Sequence, residues 1–149
     1  MSHAEVLRSI YRDTLKLSQE ASDWLDGLWS VIQVFDDVID KDNEITRQDA
    51  NAALYAALLS MPASPFWLRN HAVLTPVMLV ALSKWQASDA RERAGIIDAV
   101  SFVWRASFYD VVLAVCHLVH GDKAVDMAAT VASMYGENFE DYKKEFGHA

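Results

Sequence analysis

The chain has 149 residues, 52% of them apolar and 23% charged, with only five Gly and three Pro. That is a globular composition, long enough to bury a core without disulfides or metal, and it excludes a disordered chain. A formal charge of −8 argues against nucleic acid as a partner, because phosphate contacts need clustered Lys and Arg.

Apolar spacing is helical along nearly the whole chain, and no stretch alternates with strand period. Met1 to Arg12 carries charge throughout and has no long apolar stretch, so no signal peptide is expected. Ser2-x-x-Glu5 has capping-box form and opens a first helix that runs to about Leu17. Ser18 and Ser22 offer a stop or a restart. A second helix over roughly Asp23 to Asp40 carries Trp24, Leu28, Val31, Phe35 and Val38 on one face. Leu25, Ile32 and Ile39 widen that face to the arc of a core-facing helix.

The turn 41–45 leads to Thr46, whose spacing to Asp49 caps a third helix through about Ser60. Met61-Pro62-Ala63-Ser64-Pro65 then breaks the chain. Ser64-Pro65 and Thr75-Pro76 both read as an N-cap followed by proline at the first helical position. They predict a short helix near 66–70 and a more buried one over 76–86. The run 72–82 is strongly apolar, but Pro76 interrupts it and His71 and Lys84 bound it. It is too short to span a bilayer, so no membrane partner is expected.

Asp89 opens a long helix to about His120, stopped by Gly121, and Asp122 caps a last helix through about Tyr135. Residues 137–149 form an aromatic, charged tail that is either a docked helical end or frayed. These segments predict an all-α fold, a single domain over 1–149 built as a bundle of five or six helices. Cys116 is the only cysteine, which excludes an intrachain disulfide framework and a thiolate zinc site and fits a reducing cytoplasm.

The chemistry concentrates in Phe35-Asp36-Asp37-Val38-Ile39-Asp40-Lys41-Asp42, four carboxylates in seven residues at the end of an apolar helix. At 100° per residue, Asp40 lies 40° from Asp36, and both border the apolar stripe, while Asp37 points away at 100°. Two carboxylates one turn apart suit a hard cation such as Mg²⁺ or Mn²⁺. Acids at a helix C-terminus are also unfavourable by several tenths of a kcal/mol each. A local rule broken without visible compensation marks a candidate site. The plainer reading is a solvated acidic helix end with Asp42 and Asn43 serving the turn.

A second acid, Asp110, falls at the edge of the stripe Val100, Val103, Ser107, Val111, Ala114 and Leu118, with His117 two turns later. It is expected to be at least partly buried and therefore to need a partner. Either Asp110 and His117 face Asp36 and Asp40 across the bundle, as in helical metal proteins, or Asp110 pairs with Arg105, Arg69 or Arg12 or accepts a hydrogen bond from a Trp or Tyr. The remaining histidines are terminal, in turns, or at a helix end. No HExxH pair, glycine-rich phosphate loop or nucleophile elbow occurs.

Asp36-Asp37-Val38-Ile39-Asp40 resembles the DDxxD signature of the isoprenoid synthases. The resemblance implies an all-α fold in which Asp36 and Asp40 hold Mg²⁺ against a substrate diphosphate. The ExxE and ExxD pairs of helical MazG-type nucleotide pyrophosphohydrolases are not reproduced, and Glu20-x-x-Asp23 is an isolated match to them. An EF-hand is rejected, since Ile45 stands at the required glycine and Asn51 replaces the final Glu.

Two readings follow. The first is a Mg²⁺- or Mn²⁺-type site at Asp36 and Asp40, with Asp37, Asp110 and His117 as further candidates, acting on a phosphate-containing small molecule. The second is a non-catalytic helical interaction protein with the look of a phage or prophage accessory factor, self-associating or paired with a basic partner. The second predicts Asp110 paired to an Arg and an exposed apolar face carrying Trp67 or Trp85.

Overall fold

The computed structural model describes residues 1–147, and these are all-α, as the periodicity requires. The part of the expected tail at 148–149, with His148, lies outside the described residues. Seven helical segments replace the expected five or six. The chain divides into two compact units, Met1–His71 and Ala72–Ala149.

In the first unit, α1 spans residues 3–14, an α-helix His3–Ser9 continued by a π-helix Ile10–Thr14. Ser2 and Glu5 form the anticipated capping box. Leu7, Tyr11, Leu15 and Leu17 are buried, and Lys16, at φ 50°, turns the chain out of the helix. Helix α2 (Gln19–Asp40) starts four residues earlier than expected because Ser18, not Ser22, is its cap. Its N-terminal half buries Ala21, Trp24, Leu25 and Leu28, each full Leu burial contributing about 1.5–3 kcal/mol.

Helix α3 covers residues 47–63, an α-helix Arg47–Tyr55, a π-helix Ala56–Ser60 and one turn Met61–Ala63. The Thr46–Asp49 capping box opens it. Met61 and Pro62 do not break the helix; Pro62 lies in its last turn, after the π-helical Ala56–Ser60, and the chain leaves it at Ser64 in extended conformation. Ala53 and Ala56 are its buried residues. Gly27 stands at the α2–α3 contact, where Met61 and Ala56 come close. A Cβ on Gly27 would stand 3.0 Å from Met61 Cγ and 3.7 Å from Ala56 Cβ.

Helix α4 (Pro65–Arg93) is one continuous helix with Pro76 inside it, where two helices were predicted. A proline removes one i→i−4 hydrogen bond and kinks a helix without ending it when the flanking turns are held. The expected burial over 76–86 is also corrected. Ala81 is buried, but Leu79, Val80 and Leu82 are exposed.

The long helix predicted from Asp89 to His120 is interrupted. Gly95 (φ 78°) ends α4, with Ile96 N–H donating to the Arg91 carbonyl at 2.9 Å. Asp98 then caps α5 (Ala99–Arg105) by accepting from Ser101 N–H at 3.0 Å. After Ala106–Ser107 the chain continues as α6 (Phe108–Ala132), bent 52° from α5. Residues Gly121–Met127 of α6 are 3₁₀ and Ala128–Ala132 α-helical. Asn138 caps α7 (Phe139–Glu145), so this stretch of the tail is helical.

Hydrogen bonds from buried serines tie the second unit together. Ser88 Oγ donates to the Ser101 carbonyl at 2.7 Å and Ser107 Oγ to the Ala81 carbonyl at 2.6 Å. Tyr142, fully buried, donates to Glu92 at 2.9 Å and docks α7 among Phe102, Phe139 and Phe146. Among the described residues no single helix is long and apolar enough to cross a membrane.

Candidate functional site

The acidic helix end is built as the spacing requires. Helix α2 stays α-helical through Asp40, which keeps Asp36 and Asp40 one turn apart. Lys41 closes it in the left-handed conformation (φ 58°, ψ 29°), with its N–H donating to the Asp37 carbonyl at 2.9 Å. The Asp37 carboxylate accepts from Asn43 Nδ2 at 2.9 Å. Asp37 therefore fastens the turn. Asp36 is half-buried and Asp40 exposed.

Asp36, Asp37 and Asp40 belong to the first unit, Asp110 and His117 to the second. Asp110 is exposed, and its partner is Lys84, at 2.8 Å, in place of the arginines proposed for it. The reason is the break at Ala106–Ser107. It resets the helical phase, so the residues from Val100 to Leu118 do not form one stripe. Val100 and Val103 are exposed while Ser107 and Val111 are buried. His117 is exposed on α6. Among the described residues, no three His, Cys, Asp or Glu side chains are grouped so as to hold a metal ion.

A cleft of about 240 Å³ lies on the first unit, lined by Glu20, Asp23, Trp24, Ser60, Met61, Ser64 and Pro65. The isolated Glu20-x-x-Asp23 pair next to Trp24 was the signal for it in the sequence. Both acids are engaged, Glu20 by Arg69 at 2.6 Å and Asp23 by Gln19 at 2.7 Å. The volume falls below the roughly 300–1,000 Å³ of small-molecule sites. Trp24 stacks on Trp67 with ring centroids 5.7 Å apart, so Trp67 serves packing. Its expected place on an exposed apolar face is taken by other side chains.

Those side chains lie beside the acids. The α2 residues Ala21, Leu25, Leu28, Ile32, Phe35 and Ile39 follow one another at alternating spacings of four and three, the seam of a helix that packs on another helix. The seam is buried as far as Leu28, but Phe35 is 50% exposed and Ile39 43%. Helix α1 packs on α2 at Trp29, where His3 lies against the indole with centroids 5.1 Å apart. Within the first unit α2 also packs against α3. On α3, Leu54, Leu58 and Leu59 are exposed in turn.

The chain matches no protein-family model, no curated protein and no solved structure.

Proposed function

We propose that this chain is a non-catalytic helical interaction protein whose exposed apolar helix faces are completed by another polypeptide. The observation that carries this reading is the exposure of large apolar side chains in ordered helices of both units. Phe35, Ile39, Leu54 and Leu58 are exposed in the first, Leu79, Leu82, Val100 and Val103 in the second. Single exposed apolar residues are ordinary, but runs of them along helices mark interaction surfaces. The ion pair of Asp110 with Lys84 gives that acid a structural partner, in keeping with this reading.

Binding of Nile red, an uncharged dye that an acidic protein does not repel, tests the proposal. The purified chain should enhance its fluorescence, and replacing Leu58 and Leu79 with Ser should reduce the enhancement while leaving helicity and thermal stability unchanged. A chain silent towards the dye, or destabilised by these substitutions as by core substitutions, would overturn it.

A second reading keeps Asp36 and Asp40 as a Mg²⁺ or Mn²⁺ pair that would orient a phosphate or diphosphate ester. What supports it is the helical continuity of α2 through Asp40. Calorimetric titration with Mg²⁺ should show heat that Asp36→Asn/Asp40→Asn abolishes. Negligible heat in both proteins removes this reading.

A further inference from the structure

We infer that the distal part of the α2–α3 hairpin, from Ile32 to Leu59, is a docking surface for a basic amphipathic helix of a partner protein. The inference rests on the interaction-protein reading and adds to it the place and the chemistry of the partner.

The shape of the occupant follows from the α2 seam. A four-three alternation presents side chains at the repeat another helix needs for knobs-into-holes packing. The first unit uses this seam for its own core up to Leu28 and leaves Phe35 and Ile39 about half exposed. Leu54 and Leu58, one turn apart on the neighbouring helix, supply a second row. Phe35, Val38 and Ile39 on α2 and Leu54 and Leu58 on α3 are each between 43% and 65% exposed. Apolar anchors one turn apart are what an amphipathic helix engages when it lies along a partner's helices.

The charge of the occupant follows from the acids. Between residues 31 and 60 the chain carries Asp36, Asp37, Asp40, Asp42, Glu44 and Asp49 against Lys41 and Arg47. Half of the net charge of −8 thus lies on the segment that bears the apolar rows. Asp36 occupies the position flanking the seam where charge selects the partner of a helix pair. A second copy would bring like charge against like charge. A helix with Lys and Arg beside its apolar stripe gains Coulombic attraction and steering from the same residues.

The test uses the whole chain and a fluorescein-labelled Leu/Lys amphipathic peptide of about 20 residues, long enough to be helical on binding. Fluorescence anisotropy compares it with a Leu/Glu peptide and with a scrambled Leu/Lys peptide at about 150 mM salt. The Leu/Lys helix should bind at least about tenfold more tightly than either control. Phe35→Ser/Leu58→Ser should weaken it about tenfold or more without loss of helicity, and Asp36→Asn/Asp40→Asn should flatten its salt dependence.

Equal binding of the scrambled peptide, or unchanged binding by the Phe35→Ser/Leu58→Ser variant, overturns the inference. So does a dimer in sedimentation that this variant dissociates, since a second copy is then the occupant. Failure of the peptide with Nile red binding intact removes only the basic-helix assignment. Failure of both removes the interaction-protein reading beneath it.

Discussion

Cys116 shows how strongly a residue's behaviour here depends on its surroundings. It is fully buried on α6, and burial pushes the thiol up to about 11, because a thiolate loses its hydration in an apolar site. At pH 7.5 the folded chain should therefore react with iodoacetamide far more slowly than the chain in guanidinium. Equal labelling rates would show that the α6 core opens freely. Asp98 carries a pH-dependent contribution. The Ser101 backbone N–H, against some desolvation, holds its carboxyl below the usual 3.8, and Arg91 adds to the effect. A carboxyl lowered in the folded state stabilises fully above its unfolded value and loses that contribution as pH falls through the folded value. Urea titrations should thus show Asp98→Asn less stable than the parent at pH 6, with the gap narrowing progressively below about pH 4. A gap independent of pH would refute the assignment. The one-turn spacing of Asp36 and Asp40 was legible because both lie on one uninterrupted helix. The partner of Asp110 was not, since Lys84 is 26 residues away and no local pattern announces it.

At the level of the element, local signals placed starts better than ends. Capping boxes at Ser2–Glu5 and Thr46–Asp49 could be read directly, because a cap involves residues three apart and little else. Ser18→Ala should cost α2 about 1 kcal/mol, measured by urea unfolding. The division of residues 65–120 was misjudged at two points. Pro76 is tolerated in α4, whereas Gly95 and Asp98 end one helix and begin the next. Gly95 followed by a capping Asp98 is the local signal for that break. Pro76→Ala should raise stability by about 1–3 kcal/mol, since the helix regains a backbone hydrogen bond and loses a steric clash. A fall in stability would mean that the kink is required by packing. Leu25→Ala, at the buried end of the α2 seam, should cost about 2–5 kcal/mol. Leu58→Ala, on the exposed row, should stay within about 0.5 kcal/mol.

For the whole molecule, the balance between charge and exposed apolar surface governs behaviour in solution. With a net charge of −8, molecules repel one another at neutral pH, and near the isoelectric point of about 4.9 that repulsion vanishes. Light scattering should rise as pH is lowered from 7 towards 5, and Leu58→Ser/Leu79→Ser should suppress the rise. Scattering unaffected by the substitutions would place the association elsewhere. The same surfaces could not be found from periodicity. A helix shows the same apolar stripe whether its own chain or a partner covers it. The seam from Ala21 to Ile39 is continuous in sequence, yet it is buried up to Leu28 and exposed at Phe35 and Ile39.

The amino-acid order alone decided that this chain is all-helical, where α1 and α3 begin, and that α2 ends at an acidic turn. These follow from interactions within about four residues, which a linear pattern contains. Folding in three dimensions decided that Asp110 pairs with Lys84, that residues 65–93 form a single helix, and that Phe35 and Leu58 face solvent. Each depends on which distant segment lies alongside, and hydrophobicity along the chain carries no address for its neighbour.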